Sequence, residues 1–174
     1  MPTVRRFTGF KKDVPLPRIK DIPDGGFCIS AFVIISKRGN PHQVLMGRLN
    51  REAQWDHLGA LYPEMVERHS KGWMLPSSQL IFGESPHEAA QRILLEQLGL
   101  NDQKLEEPRV FSEVYGPRGH WDLEFLFLGE RERPPTHPAW RELKFVDLAS
   151  TKKEDVARSH EDILAHVGKW KTTQ

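Results

Sequence analysis

The sequence predicts an α+β domain in which one mixed β-sheet is flanked by helices. Three observations carry that prediction. Apolar runs rich in β-branched residues are separated by turn chemistry. The stretch from Ser85 to Gly99 carries both a helix start and a helix stop, and a second amphipathic stripe closes the chain. With no internal repeat or low-complexity tract, this reads as one domain over residues 27–174, preceded by an extended arm over residues 1–26.

In the arm, Pro15, Pro17 and Pro23 cut any helix, and six Lys/Arg stand against three Asp. Phe27 to Ser36 is nearly continuous in apolar character, the pattern of a strand covered on both faces. KRGNPH (Lys37 to His42) is turn chemistry and Val44 to Leu49 returns as a strand, giving a hairpin. Gln54 to Ser70 does not alternate. Leu58, Leu61, Met65 and Val66 fall at helical intervals interrupted by Pro63, so this is an irregular, partly helical insertion. Gly72 to Pro76 reads as a short strand.

Ser85 at the N-cap, Pro86 at the first helical position and Glu88 three residues on form a capping box. That helix runs to Leu98 and stops at Gly99, a residue suited to a left-handed terminator. Val110 to Tyr115 and Trp121 to Leu128 flank GPRG as a second hairpin, and Trp140 to Asp147 is a last strand. A closing helix is expected from about Lys152 to Val167, burying Val156, Ile163, Leu164 and Val167.

Composition narrows the function classes. A chain of 174 residues with 38% hydrophobic and 28% charged residues fits a soluble globular domain. A net charge of +1 argues against a bulk polyanion binder, although Arg5, Arg6, Lys11 and Lys12 could make a local basic patch for RNA. No apolar run approaches the roughly 20 residues that span a bilayer, so no membrane is expected. The start of the chain lacks a secretory core segment, and cytoplasmic residence is the default expectation. Cys28, the single cysteine, rules out an internal disulfide and reads as a buried, inert thiol.

The most informative stretch is Leu75 to Leu100, LPSSQLIFGESPHEAAQRILLEQLGL, a loop feeding a helix whose polar face carries Arg92 and Glu96. It resembles the Nudix box, G-x5-E-x7-R-E-U-x-E-E-x-G-U, where U is a bulky aliphatic residue. The chain aligns without a gap. Glu84, Arg92, Leu94, Glu96, Gly99 and Leu100 match, whereas Ser78, Ile93 and Gln97 depart, so the box is degenerate. The likeness extends over roughly residues 27 to 168 and implies a Nudix-like α/β/α sandwich, its mixed sheet flanked by helices.

The resemblance also implies a chemistry, cleavage of a pyrophosphate with Mg²⁺ or Mn²⁺ held by carboxylates converging from one helical face. Spacings of three and four bring such side chains together. Here Glu96 alone keeps a carboxylate on the helix, as metal ligand and catalytic residue, with Glu84 on the loop and Arg92 as the arginine that orients a glutamate in the family. Arg92 could equally form an exposed ion-pair ladder with Glu88 and Glu96. Ile93 cannot hold a cation, and the neutral amide of Gln97 is a poor ligand for one. Removing two charges weakens a partly shielded dication site by several kcal/mol, roughly. Ser77 and Ser78 put side chains where glycine backbone would approach a ligand.

Other residues offer replacements. Glu113, and His120, Asp122 and Glu124 alternating along one strand, form either a solvated outer face or a set aimed at the cleft. Arg48 and Arg118, the latter in GPRG, could grip a phosphate, and Trp55 and Trp73 could stack on a base. His57, His69 and His87 have no ligand spacing.

The expected function is a Nudix fold that binds a nucleoside-diphosphate-type ligand or nucleic acid, with pyrophosphohydrolase activity weakened or lost. The alternative is an active, divalent-cation-dependent hydrolase of a nucleoside diphosphate linked to another moiety. The partner expected is a nucleotide-type small molecule, with RNA and a homodimer as further options.

Overall fold

The computed structural model describes Gly9–Phe10 and residues 25–170. Most of the arm expected over residues 1–26, including Arg5, Arg6, Lys11 and Lys12, lies outside the described residues. Among the latter, seven strands form one sheet: β1 (Gly9–Phe10), β2 (Phe27–Lys37), β3 (Asn40–Leu49), β4 (Ser77–Gln79), β5 (Arg109–Tyr115), β6 (His120–Arg131) and β7 (Trp140–Asp147). The order is β5-β6-β2-β3-β7, and β2 pairs in parallel with β6 along its whole length.

The other edge of β2 changes partner as it runs. Cys28 pairs with Gly9, Ser30 to Phe32 pair with β4, and Ser36 and Lys37 pair with β3. That splay brings β4, the lead into the box, onto the central strand. β4 begins at Ser77, later than the expected strand at Gly72 to Pro76. Within that earlier segment Trp73 and Met74 make single bridges, to Val156 and Gly47.

Alternation along β2 sorts the core into two layers. Ala31, Val33 and Ile35 face helix α3 (Pro86–Leu98) and pack with Ala90, Ile93, Leu94 and Leu98. Phe32 and Ile34 face helix α4 (His160–His166) and pack with Ile163, Leu164 and Val167. A third cluster under α1 (Trp55–Gly59) and α2 (Pro63–His69) holds Trp55, Leu61, Val66 and Trp140. Pro63, read as an interruption, instead starts α2 at its first helical position.

Helix α3 forms as its residues dictate. Ser85 accepts from the Glu88 N–H, the Glu88 carboxylate accepts from the Ser85 N–H, and Gly99 caps the end at φ 66°. The closing helix is shorter than expected. Lys153–Asp155 make one 3-10 turn, and α4 starts only at His160, because Arg158 and Ser159 adopt left-handed φ of 60° and 55°. Among the described residues no helix is long and apolar enough to cross a membrane.

Candidate functional site

The box loop and helix are tied together by Arg92. Its Nε donates to Glu84 Oε1 at 2.7 Å and its Nη2 to Glu84 Oε2 at 2.9 Å. The remaining reach of the guanidinium goes to Ser78 Oγ at 3.1 Å and the Gln79 carbonyl at 3.0 Å. Glu84 is itself fixed by the Ile81 N–H at 2.9 Å. Both side chains are largely buried, 10% and 12% exposed, so this forked pair is much stronger than a surface bridge. Arg92 thus braces β4 and the loop against α3 through Glu84, whereas the exposed ladder along steps of four was the other of its two expected roles. Glu88 is committed to the cap.

Two of the box positions that the metal chemistry needs have gone into the fold. Ile93 is fully buried among Val33, Leu94, Leu98 and Phe127, so a carboxylate there would be stripped of water without a partner. Gln97 is also fully buried. Its side-chain amide donates to the carbonyls of Ser77 at 2.9 Å and Leu58 at 3.0 Å. Helix α1, part of the irregular insertion, therefore closes over this end of α3. Trp140 backs it, its indole N–H donating to the Gln97 main-chain carbonyl at 2.8 Å. Position 97 thus supplies two donated hydrogen bonds to main-chain carbonyls, while its buried amide oxygen has no hydrogen-bond partner among the described residues. Glu96, half-buried on the neighbouring turn, is the one helix carboxylate left from the box pattern.

The phosphate- and base-binding candidates separate. Arg48 stacks over Trp73, 4.4 Å from its centroid, and lies 3.8 Å from Glu142. Arg118 is exposed at the β5–β6 turn, where its carbonyl accepts from Gly25 N–H. Trp55 and Trp73 are core residues, 2% and 7% exposed, so neither offers a face to a base.

The strand triplet is different. His120, Asp122 and Glu124 share the sheet face that α4 covers, because Leu126 and Leu128 continue the same alternation into the core beneath it. The reading as a solvated outer face fails: Glu124 is only 3% exposed. Register sets Glu113 of β5 beside Asp122 on one side and Cys28 of β2 on the other, with Ser30 opposite Glu124. Cys28 is buried as expected, but it sits against Asp122 and near Ser30 rather than in a purely apolar setting.

Burial governs the charges here. It pushes Glu124 up to about 8, reinforced by the Asp122 carboxylate and opposed by Arg158. It also pushes the Cys28 thiol up to about 12, again with Asp122 adding, so the thiol keeps its proton in the free protein. Tyr115 is raised, first by burial and then by Glu124 and Asp122. The alternation of His120, Asp122 and Glu124 was legible in the sequence, but the place of Cys28 beside them was not, because Cys28 and Asp122 lie 94 positions apart. Only the parallel pairing of β2 with β6 brings them together.

No family model and no curated protein sequence matches the chain. Solved structures do. The chain superimposes on a MutT protein from Methanosarcina mazei Go1 with a TM-score of 0.59 at 14% identity, over 86% of this chain and 96% of that one. The NUDIX domain of Shewanella oneidensis NrtR, complexed with ADP ribose, gives 0.57 at 13% identity over 90% and 93%. The dihydroneopterin triphosphate pyrophosphohydrolase of E. coli gives 0.53 at 16% identity over 79% and 95%.

Proposed function

The chain adopts the Nudix fold, and from that premise we propose that it binds a nucleotide-type small molecule and has lost efficient pyrophosphate hydrolysis. One observation carries the proposal: the Gln97 amide donates to the carbonyls of Ser77 and Leu58 where the box pattern calls for a carboxylate. With Ile93 in the core as well, the helix retains the packing role of the box without the charge that gathers Mg²⁺ or Mn²⁺. Glu84 and Arg92 serve the scaffold, holding the loop in shape.

Retention of a ligand is supported by the second face of the sheet. There His120, Asp122, Ser30 and Glu124 present polar groups that reach solvent through His120, 36% exposed at its side chain. A mixed set of donors and acceptors of this kind suits the N–H and hydroxyl groups of a nucleoside. ADP ribose in the NrtR domain is a relevant precedent for the ligand class.

A thermal-shift panel of ADP, ADP-ribose and related nucleotides tests the reading. A ligand that binds only the native state raises Tm in proportion to its affinity and concentration. A saturable rise for at least one nucleotide, equal with and without Mn²⁺, is expected. A panel without any shift contradicts ligand retention, and a shift that needs Mn²⁺ contradicts loss of the metal site.

A further inference from the structure

We propose that Cys28, His120 and Asp122 form a binding site for a borderline-soft divalent transition metal of the Zn²⁺ type, on the opposite face of the sheet from α3. The Sγ, imidazole nitrogen and carboxylate oxygen of these residues all lie within 4.8 Å of one another. Tetrahedral zinc, with bonds of about 2.0–2.3 Å, sets its ligand atoms roughly 3.3–3.8 Å apart, so adjustments of roughly 1–1.5 Å at most close the set. Thiolate, imidazole and carboxylate together select such an ion over Mg²⁺. This site is separate from the box helix; it shares His120, Asp122 and Glu124 with the face offered above to a nucleoside, but its evidence and its test do not depend on a nucleotide binding there.

Three further features point the same way. Cys28 Sγ and His120 Nε2 converge on one oxygen, Asp122 Oδ1. The other ring nitrogen, His120 Nδ1, lies 2.7 Å from the Gly25 carbonyl. With Nδ1 donating to that carbonyl, the Nε2 lone pair is the nitrogen available to a metal. Such a carbonyl contact on the remote nitrogen is the usual support of a metal-bound histidine. Gly25 permits it because a Cβ there would lie 2.5 Å from the His120 backbone nitrogen.

An independent observation is Glu124. It follows His120 and Asp122 on the same strand face, is 3% exposed, and its Oε2 has no hydrogen-bond partner among the described residues. A buried carboxyl oxygen without a hydrogen-bond partner is costly, and a bound cation would satisfy it. Binding would release the Cys28 proton to solvent.

Titration of the chelator-stripped full chain with Co²⁺ tests this. Because Cys28 is the single cysteine, any thiolate-to-cobalt charge-transfer band reports on this site alone. A band that saturates at one equivalent and is displaced by Zn²⁺ is expected. It should vanish in Cys28→Ser, and His120→Ala, Asp122→Asn and Glu124→Gln should each weaken Co²⁺ binding by about tenfold or more. Circular dichroism identifies variants that keep the fold, so one misfolded variant leaves the others decisive. No band in the native protein, or a band indifferent to His120→Ala and Asp122→Asn, overturns the proposal, and nucleotide shifts without a cobalt band would sink it alone.

Discussion

Exchanging Gln97 for glutamate would turn two N–H···O bonds into oxygen–oxygen contacts. The Ser77 and Leu58 carbonyls would lose their donor inside a fully buried pocket, and a new carboxylate would face them. Leaving buried polar groups unsatisfied costs about 1–3 kcal/mol each, so Gln97→Glu should lose about 3 kcal/mol in urea denaturation at neutral pH. Unchanged stability would contradict the role assigned to the amide. Restoring the family pattern at this position is therefore a disruption rather than a repair. The same logic holds for Ile93, whose neighbours are Val33, Leu94 and Phe127. Legibility at this scale was partial. The degenerate positions could be read from the pattern, but the destination of their side chains could not, because nothing in the partly helical insertion that holds Leu58 marks its carbonyl as a partner of position 97.

Elements whose signals are local emerged with nearly their expected bounds. Helix α3 is set by Ser85, Glu88 and Gly99, all within or beside it. The β5–β6 hairpin turns between Gly116 and Gly119, whose φ of 68° and 66° suit glycine. β4 and α4 were misjudged because their bounds depend on distant partners or on non-glycine residues at positive φ. Nothing in the types of Arg158 and Ser159 announces a left-handed pair.

That pair lets α4 begin with His160, which is 2% exposed and accepts the Leu75 N–H on Nδ1 at 2.9 Å. Burial first, then Arg158 and His69, hold its pKa well below the ordinary 6.5. A depressed folded value means the neutral ring stabilises fully above 6.5, and that contribution is lost as pH falls below it. The urea midpoint should thus drop between pH 6.5 and about pH 5, and drop less in His160→Asn, which keeps an acceptor that does not titrate. Parallel pH profiles for the two proteins would contradict this.

Across the whole molecule, the sheet separates two chemistries. On the α3 side, Arg92 and Glu84 brace the box loop while Ile93 and Gln97 complete the packing. On the α4 side, register gathers Cys28, His120, Asp122 and Glu124 from two strands. The α+β class was legible from the order of elements and one helix with local caps, and the Nudix-like sandwich from the resemblance of Leu75 to Leu100 to the Nudix box. Of the polar cluster, the strand triplet was legible and the addition of Cys28 was not, since that arises from pairing across 94 positions.

The central claim is that the box helix no longer supports metal-dependent turnover. Its most direct test is release of phosphate products from nucleoside diphosphate substrates in Mg²⁺ or Mn²⁺, for the native chain and for Glu96→Gln. We predict no release above the metal-free background and no difference between the two proteins. Metal-dependent release by the native chain that Glu96→Gln abolishes would contradict the account.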